Sequence, residues 1–321
     1  MWCKQCNIET NADICPVCGG TTVEDLPVEV YWCDSCKIPI INTIIQADKG
    51  CCPVCGGKTE YLSADLRPVF PEERLLVELL LEKEPNSLVN ESLWASNNRY
   101  YINGKSIAMP NSKYECANIN SIIEKLHSFS AANSYDGFNK YIQLFTLANR
   151  SRLEYLKDEA FQFIKKAASK FPAENIVVSF SGGKDSTVSA DLAVKALSDP
   201  SIVHIYGDTT LEFPSTTEYA ERFRKNHPNA IFQIAKNDEQ DFYDVCEDIG
   251  PPARMMRWCC SMFKTGPITR VINSLYDSQQ ILTFYGIRKA ESVSRSKYNR
   301  IEDSADAVKI KQQTVASPIF F

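Results

Sequence analysis

The chain has 321 residues, 44% of them hydrophobic, and a net charge of -5. That is enough apolar material for two or three packed domains, and the acidic balance argues against wholesale nucleic-acid binding while leaving local basic patches open. No apolar run reaches the roughly 18 residues of a membrane helix, and cysteines stand at the N-terminus where a signal peptide needs a basic and then an apolar region, so a cytoplasmic protein with no membrane partner is expected.

Residues 1–66 read as tandem zinc ribbons. Eight of the thirteen cysteines fall in four Cys-x-x-Cys pairs: Cys3 and Cys6, Cys15 and Cys18, Cys33 and Cys36, Cys52 and Cys55. Each pair presents two thiolates to one ion, and two pairs close a tetrahedral site of the structural kind. The string Cys-Pro-Val-Cys-Gly-Gly occurs twice, so one small unit is used twice. Two structural zinc ions are expected, with rubredoxin-like iron as the alternative donor-compatible metal. Consecutive pairing of the knuckles is the simplest arrangement, an interleaved one staying open, and Cys51 reads as a bystander. Residues 1–70 carry five Lys/Arg against nine Asp/Glu, a balance that opposes a phosphate backbone and favours a structural role or a protein partner over nucleic acid.

Residues 67–150 read as a connector. Leucines spaced on one helical face predict a helix over 72–83, Asn103-Gly104 predicts a hairpin turn, and helical patterns run over 119–129 and 137–171, the last broken near Asn149. Trp94 and the neighbouring tyrosines read as packing residues and Cys116 as a small buried one.

Residues 151–321 read as an α/β domain with a doubly wound parallel sheet. A β-branched run enters Ser181-Gly182-Gly183-Lys184-Asp185-Ser186 and an Ala/Val/Leu-rich helical pattern leaves it. That is a strand, a glycine turn and a helix, the geometry of an anion site. A Walker loop is excluded, because Val178 stands at its first glycine position and Asp185 follows Lys184. Strand patterns over 201–206, 230–234 and 280–285 continue the alternation, which places Asp208 and the Gly286 to Arg288 stretch at carboxyl strand ends. His204 reads as core and His227 as surface.

The six-residue loop resembles the PP-loop of the adenine nucleotide alpha hydrolase superfamily. Together with Gly207-Asp208-Thr209, Arg257-Trp258-Cys259-Cys260, Lys264 and Gly286-Ile287-Arg288 through Arg295, it is similar, in order, to the phosphoadenosine phosphosulfate (PAPS) reductase family. The resemblance implies an enzyme that binds an adenine nucleotide (PAPS, APS or ATP) and acts in sulfonucleotide reduction or sulfur transfer. It implies that the loop amides with Ser181, Lys184 and Ser186 hold phosphate or sulfate oxygens. Ser179, Gly182, Gly183, Asp185 and Gly286 line the same site, and Asp208 reaches the nucleoside or a metal such as magnesium. Arg257, Lys264, Arg288 and Arg295 converge as a basic clamp, and Asp185 has a helix cap as its alternative role. Cys259 and Cys260, the candidate catalytic residues, stand where cluster-containing members keep half the ligands of a 4Fe-4S iron-sulfur cluster. No cysteine follows Cys260, so a cluster needs ligands beyond Phe321 or from elsewhere, Cys246 being one candidate; read without a cluster, the pair is buried reduced thiols. The apolar ending Ser317 to Phe321 reads as the start of a further packed element, so a C-terminally incomplete domain is expected. A thioredoxin-like reductant or a sulfur donor is the implied partner. Two alternatives stay open: an ATP pyrophosphatase of the DNA phosphorothioation or tRNA thiolation type, and a non-catalytic nucleotide-sensing and docking module.

Overall fold

The computed structural model describes residues 1–10, 12–23, 28–43, 50–96, 99–109, 111–115, 117–130, 134–253, 255–277, 279–292, 295–303 and 313–320. Cys116, Val293, Ser294 and Phe321 lie outside the described residues. The chain folds as two compact units, Met1–Tyr155 and Leu156–Phe321.

The first unit opens with two ribbons. In the first, β1 (Trp2–Cys3) pairs with β2 (Ile8–Glu9). In the second, β3 (Val28–Cys33) is the centre of an antiparallel sheet between β4 (Ile38–Thr43) and β5 (Thr59–Ser63). Each knuckle turns on a left-handed residue directly after its second cysteine: Asn7 (φ 52°), Gly19 (φ 70°), Lys37 (φ 56°) and Gly56 (φ 69°). That conformation explains the glycine of the repeated hexapeptide. Next come β6 (Arg67–Pro68), α1 (Pro71–Leu80), β7 (Leu93–Ser96), β8 (Arg99–Ile102) and β9 (Lys105–Ala108), the strands forming one antiparallel sheet in chain order. Asn103 and Gly104 both have positive φ, as the two-residue hairpin turn requires. Trp94 and Tyr101 are buried with Trp32 of β3, packing residues as expected.

Helices α2 (Asn111–Glu115), α3 (Ile119–Ser130), α4 (Asp136–Ala148) and α5 (Arg150–Ala168) follow. The break at Asn149 has a physical cause. Its buried side chain accepts from the Ile41 amide at 2.6 Å and donates to the carbonyls of Pro39 at 3.0 Å and Phe145 at 2.8 Å, so it serves the β4 edge and the end of α4 together.

In the second unit, β10 (Ile176–Phe180), α6 (Lys184–Leu197), β11 (Val203–Asp208), α7 (Pro214–Asn226) and β12 (Ile231–Lys236) alternate. Then come α8 (Phe242–Ile249), α9 (Trp258–Cys260), a π-helical turn at Ser261–Thr265, α10 (Gly266–Tyr276), β13 (Ile281–Phe284), β14 (Ile301–Asp303) and β15 (Gln313–Ala316). The sheet order is β12-β11-β10-β13-β15-β14. Five strands are parallel; β14 is antiparallel to β15 and edges the sheet, a departure from an all-parallel expectation. The strand expected over 201–206 starts two residues later, because the Asp199 carboxylate ties the amide and hydroxyl of Ser201 into a turn.

Both faces of the sheet are covered. Val178, Phe180, Leu282 and Phe284 pack with Ala190, Ala193 and Ala196 of α6 and Ile164 of α5, while Val177, Ile205 and Ile281 pack with Ile268 and Ile272 of α10. The small alanines at three-residue spacing let α6 lie close to the strands. The chain runs outward from β10 through β11 to β12 and then returns to place β13 on the other side of β10. That reversal makes the carboxyl end of β10 and β13 the topological switch point, where such sheets bind ligands.

Candidate functional site

Two loops meet at the switch point, one after β10 (Ser181–Gly183) and one after β13 (Tyr285–Arg288). In the first, Gly183 is the N-cap of α6 without a side-chain cap, and Ser181, Gly183 and Lys184 are exposed. Ser186 is buried beneath them. Its hydroxyl accepts from the Ser181 amide at 3.2 Å and donates to the Gly183 carbonyl at 2.9 Å, so it pins the curl from below. Asp185 lies in the first helical turn and is not the N-cap; its Oδ2 accepts from Arg288 Nε at 3.0 Å.

Gly286 makes that pairing reachable. A Cβ there would lie 2.5 Å from the Asp185 carbonyl carbon and 2.6 Å from the Ser186 amide nitrogen. The backbone after β13 therefore rests directly on the backbone of the first loop, a contact only glycine permits. Below it, Tyr285 donates to Gln313 Oε1 at 3.2 Å, and burial pushes its phenol well above the ordinary range. Ser179 stands in β10 and holds the same phenol down against that burial.

Asp208 ends β11 in register with Lys236, its carboxylate accepting from the Thr210 amide at 2.9 Å and lying 3.7 Å from Lys236 Nζ. Lys236 was not found from sequence; its signal is the strand register, which a single sequence does not display. The four expected cations do not all reach the loop. Arg288 does. Arg295 instead donates to Glu291, and Arg257 and Lys264 are exposed on the segment around α9, with no hydrogen bond or ion pair to the loop among the described residues.

Cys259 and Cys260 are half-buried, and Cys259 packs with Cys246 against Val245, Trp258 and Phe263. Burial, reinforced by the neighbouring Cys260, raises the Cys259 thiol, so Cys259 is not a ready thiolate. Among the described residues, only the two ribbon groups bring three or more His, Cys, Asp or Glu ligand atoms within 4.8 Å of one another. The thiols of Cys246, Cys259 and Cys260 thus do not by themselves form the donor set of an iron-sulfur cluster.

The ribbon cysteines gather as two groups, Cys3, Cys6, Cys15 and Cys18, and Cys33, Cys36, Cys52 and Cys55, the consecutive pairing. Sulfur separations of 3.6 Å (Cys3 to Cys18), 3.5 Å (Cys33 to Cys55) and 3.9 Å (Cys36 to Cys52) sit around the edge of about 3.8 Å for a tetrahedron with Zn–S bonds of about 2.3 Å. Amides of Val17, Gly20, Cys6, Cys36 and Gly57 point at the sulfurs at 3.4 Å. The Cys18 amide brings Cys15 down to about 7, and the Gly57 amide does the same for Cys55. A hydrogen bond given to Cys18 pushes Cys6 up to about 12, and burial raises Cys36. The residues therefore fit a thiophilic ion such as zinc, which displaces the remaining protons on binding. Cys51 is exposed and stands outside both groups.

Residues 175–320 match the family described as the phosphoadenosine phosphosulfate reductase domain. Two uncharacterized proteins of Methanocaldococcus jannaschii are similar: one is 32% identical over 65% of this chain and 42% of its own length, the other 34% identical over 46% of this chain and 35% of its own. The chain thus spans less than half the length of these relatives. Among solved structures, the PAPS reductase of Candida auris is similar at 15% identity and TM-score 0.38, covering 54% of this chain and 80% of that one. The NAD synthetase of Campylobacter jejuni is similar at 15% identity and TM-score 0.35, covering 52% of this chain and 67% of that one.

Proposed function

We propose that residues 175–320, a phosphoadenosine phosphosulfate reductase-type domain, bind an adenine nucleotide with its phosphate or sulfate groups on the loop Ser181–Ser186 and act in sulfonucleotide reduction or sulfur transfer. The observation that carries this reading is the docking of the Gly286–Arg288 backbone onto the loop, which brings one guanidinium to the N-terminus of α6.

The chemistry follows from the parts. The first amides of α6 and the exposed Lys184 offer donors and positive potential to an anion, and Arg288 adds a planar fork that matches two phosphate or sulfate oxygens. Charge that builds on those oxygens as a P–O or S–O bond breaks is stabilised by groups already in place. Magnesium, where the nucleotide brings it, would supply further charge neutralisation, with Asp208 as the half-buried carboxylate at a strand end. Zinc would be held by the two four-cysteine groups and supply folding energy only.

Reduction requires a thiolate to attack sulfur, displace the nucleotide and form an S-sulfonate, from which a second thiol releases sulfite as a disulfide forms. Burial raises the Cys259 thiol, which disfavours that one cysteine as the starting nucleophile. In the second reading, ATP adenylates an acceptor and pyrophosphate leaves. The separating experiment supplies the zinc-loaded protein with ATP, APS or PAPS, and a dithiol reductant of the thioredoxin type, and assays pyrophosphate and sulfite. Sulfite without pyrophosphate establishes reduction; pyrophosphate without sulfite establishes adenylation; nucleotide binding with neither product reduces the domain to a sensor.

A further inference from the structure

We propose that Asp185 is a positioning residue, whose carboxylate holds the Arg288 guanidinium over the glycine loop, and not a ligand for metal. This deepens the nucleotide reading above and rests on it.

Three observations carry the inference. The contact is made through Nε alone, Arg288 Nε to Asp185 Oδ2 at 3.0 Å. Hydrogen bonding at Nε fixes the plane of the guanidinium and leaves both terminal nitrogens, which have no partner among the described residues, to donate to a second acceptor. A guanidinium tied at one edge in this way presents its fork, which a lysine in the same place would not.

The second observation is the backbone contact beneath it. With the virtual Cβ of Gly286 at 2.5–2.7 Å from backbone atoms of Asp185 and Ser186, the two loops are in direct contact. The Asp185–Arg288 pair therefore bridges two segments whose separation the main chain has already set. The third is electrostatic. A carboxylate in the first turn of a helix whose N-terminus is to receive an anion is repulsive unless neutralised. Asp185 makes no capping bond, since Gly183 occupies the cap, and the only described cation bonded to it is Arg288. Its place is accounted for by what it does to that arginine.

These roles give opposite signs for one substitution. If Asp185 acted only as a nearby negative charge, Asp185→Asn would tighten anion binding. If it held magnesium, the same change would weaken ATP binding only when magnesium is present. As a positioning residue, its loss weakens binding with and without the metal, because Arg288 is no longer held.

The test is calorimetric titration of the zinc-loaded full chain with ATP and with APS, in metal-free buffer and again with excess magnesium, using no chelator so that the ribbons stay loaded. Asp185→Asn is expected to weaken binding of either nucleotide about tenfold or more under both conditions, the scale of one charge-assisted hydrogen bond. Arg288→Ala is expected to match it, and the double variant to lose little beyond either single change. Asp185→Glu, which keeps a charged acceptor for Nε where Asn offers only a neutral one, is expected to recover part of the loss. Unchanged or tighter binding by Asp185→Asn, a loss confined to magnesium, or additive losses in the double variant overturns the inference while leaving the nucleotide site standing. Failure of the wild-type chain to bind any adenine nucleotide overturns both. Should Asp185→Asn not fold, as judged by thermal melting, Arg288→Gln decides the matter: wild-type affinity in that variant contradicts the proposal, and a tenfold loss in both buffers supports it.

Discussion

The two ribbons carry the same coordinating hexapeptide and are built into the protein in different ways. The first has two-residue strands, and its knuckle leaves Ile14 and Val17 60% and 72% exposed. A side-chain tie fixes it to the helical part of its unit: Glu9 accepts from Arg152 at 2.6 Å, with both side chains mostly buried. The second has strands of five and six residues, and Cys33, Ile38, Ile40 and Cys52 pack against Tyr141, Leu144 and Ala148 of α4. Identical ligands therefore do not imply identical work. In the first ribbon the metal has to supply nearly all of the folding energy; in the second it shares that task with a hydrophobic core.

The largest expected effect separates them directly. Cys52→Ser opens the second site inside a packed cluster and is expected to cost the first unit several kcal/mol, the scale of a structural zinc site. Cys15→Ser is expected to remove one zinc ion and the order of residues 1–23 while the melting temperature of the rest stays unchanged. Metal analysis with thermal melting checks both, and equal destabilisation by the two variants would break the comparison.

Next in size is Asn149→Ala. It deletes three hydrogen bonds at a buried position that ties β4 to the end of α4, with an expected loss of about 2–3 kcal/mol at about 1 kcal/mol each. Loss of amide protection concentrated at Ile41 in hydrogen exchange would locate it. Arg152→Met leaves the mostly buried Glu9 carboxylate without its partner and should cost about 1–2 kcal/mol. It is expected to speed hydrogen exchange in residues 1–23 and leave the second ribbon protected.

The smallest effect lies in the second unit, where pH sensitivity has a source other than metal. Burial holds His204 below its ordinary value, with Nδ1 at 2.8 Å from the Ile202 carbonyl. The unfolded chain takes up a proton near pH 6.5 that the folded one resists, so the stabilisation is complete above that pH and lost as pH falls toward the folded value. His204→Asn should flatten the acid limb of a stability-against-pH curve for this unit; an unaltered limb would show that other groups set it.

Much of this was legible because local chemistry and global role agree. Cysteine spacing gave the metal groups, the Asn103-Gly104 pair gave a hairpin, and the glycine loop with its flanking periodicities was placed at a strand end. The break at Asn149 was visible as a pattern, but its cause, a side chain serving β4 more than one hundred residues earlier, was not. The same holds at the site. Ser181 to Ser186 was readable as one string, yet the division of labour within it depends on depth: Ser186 lies under the loop and Lys184 is exposed. Gly286 looked like a member of a motif, and only the packing shows that its missing Cβ is what lets two loops touch. Of the four cations expected to converge, only Arg288 is tied to the loop among the described residues, for a related reason. Charge type is visible in sequence, whereas the choice of partner, Asp185 for Arg288 and Glu291 for Arg295, is settled by backbone geometry.

The central claim is that Ser181–Ser186 with Arg288 forms an adenine-nucleotide site, and Lys184→Ala tests it most directly, since Lys184 is exposed at the start of α6 and supports no part of the core. Calorimetric titration of the zinc-loaded chain with ATP, APS and PAPS is predicted to show one saturable site for at least one of them. That site should weaken at least about tenfold in Lys184→Ala, the loss of one charge-assisted contact, at unchanged melting temperature. Wild-type affinity in Lys184→Ala, or no binding of any of the three by the folded wild-type chain, would contradict the account.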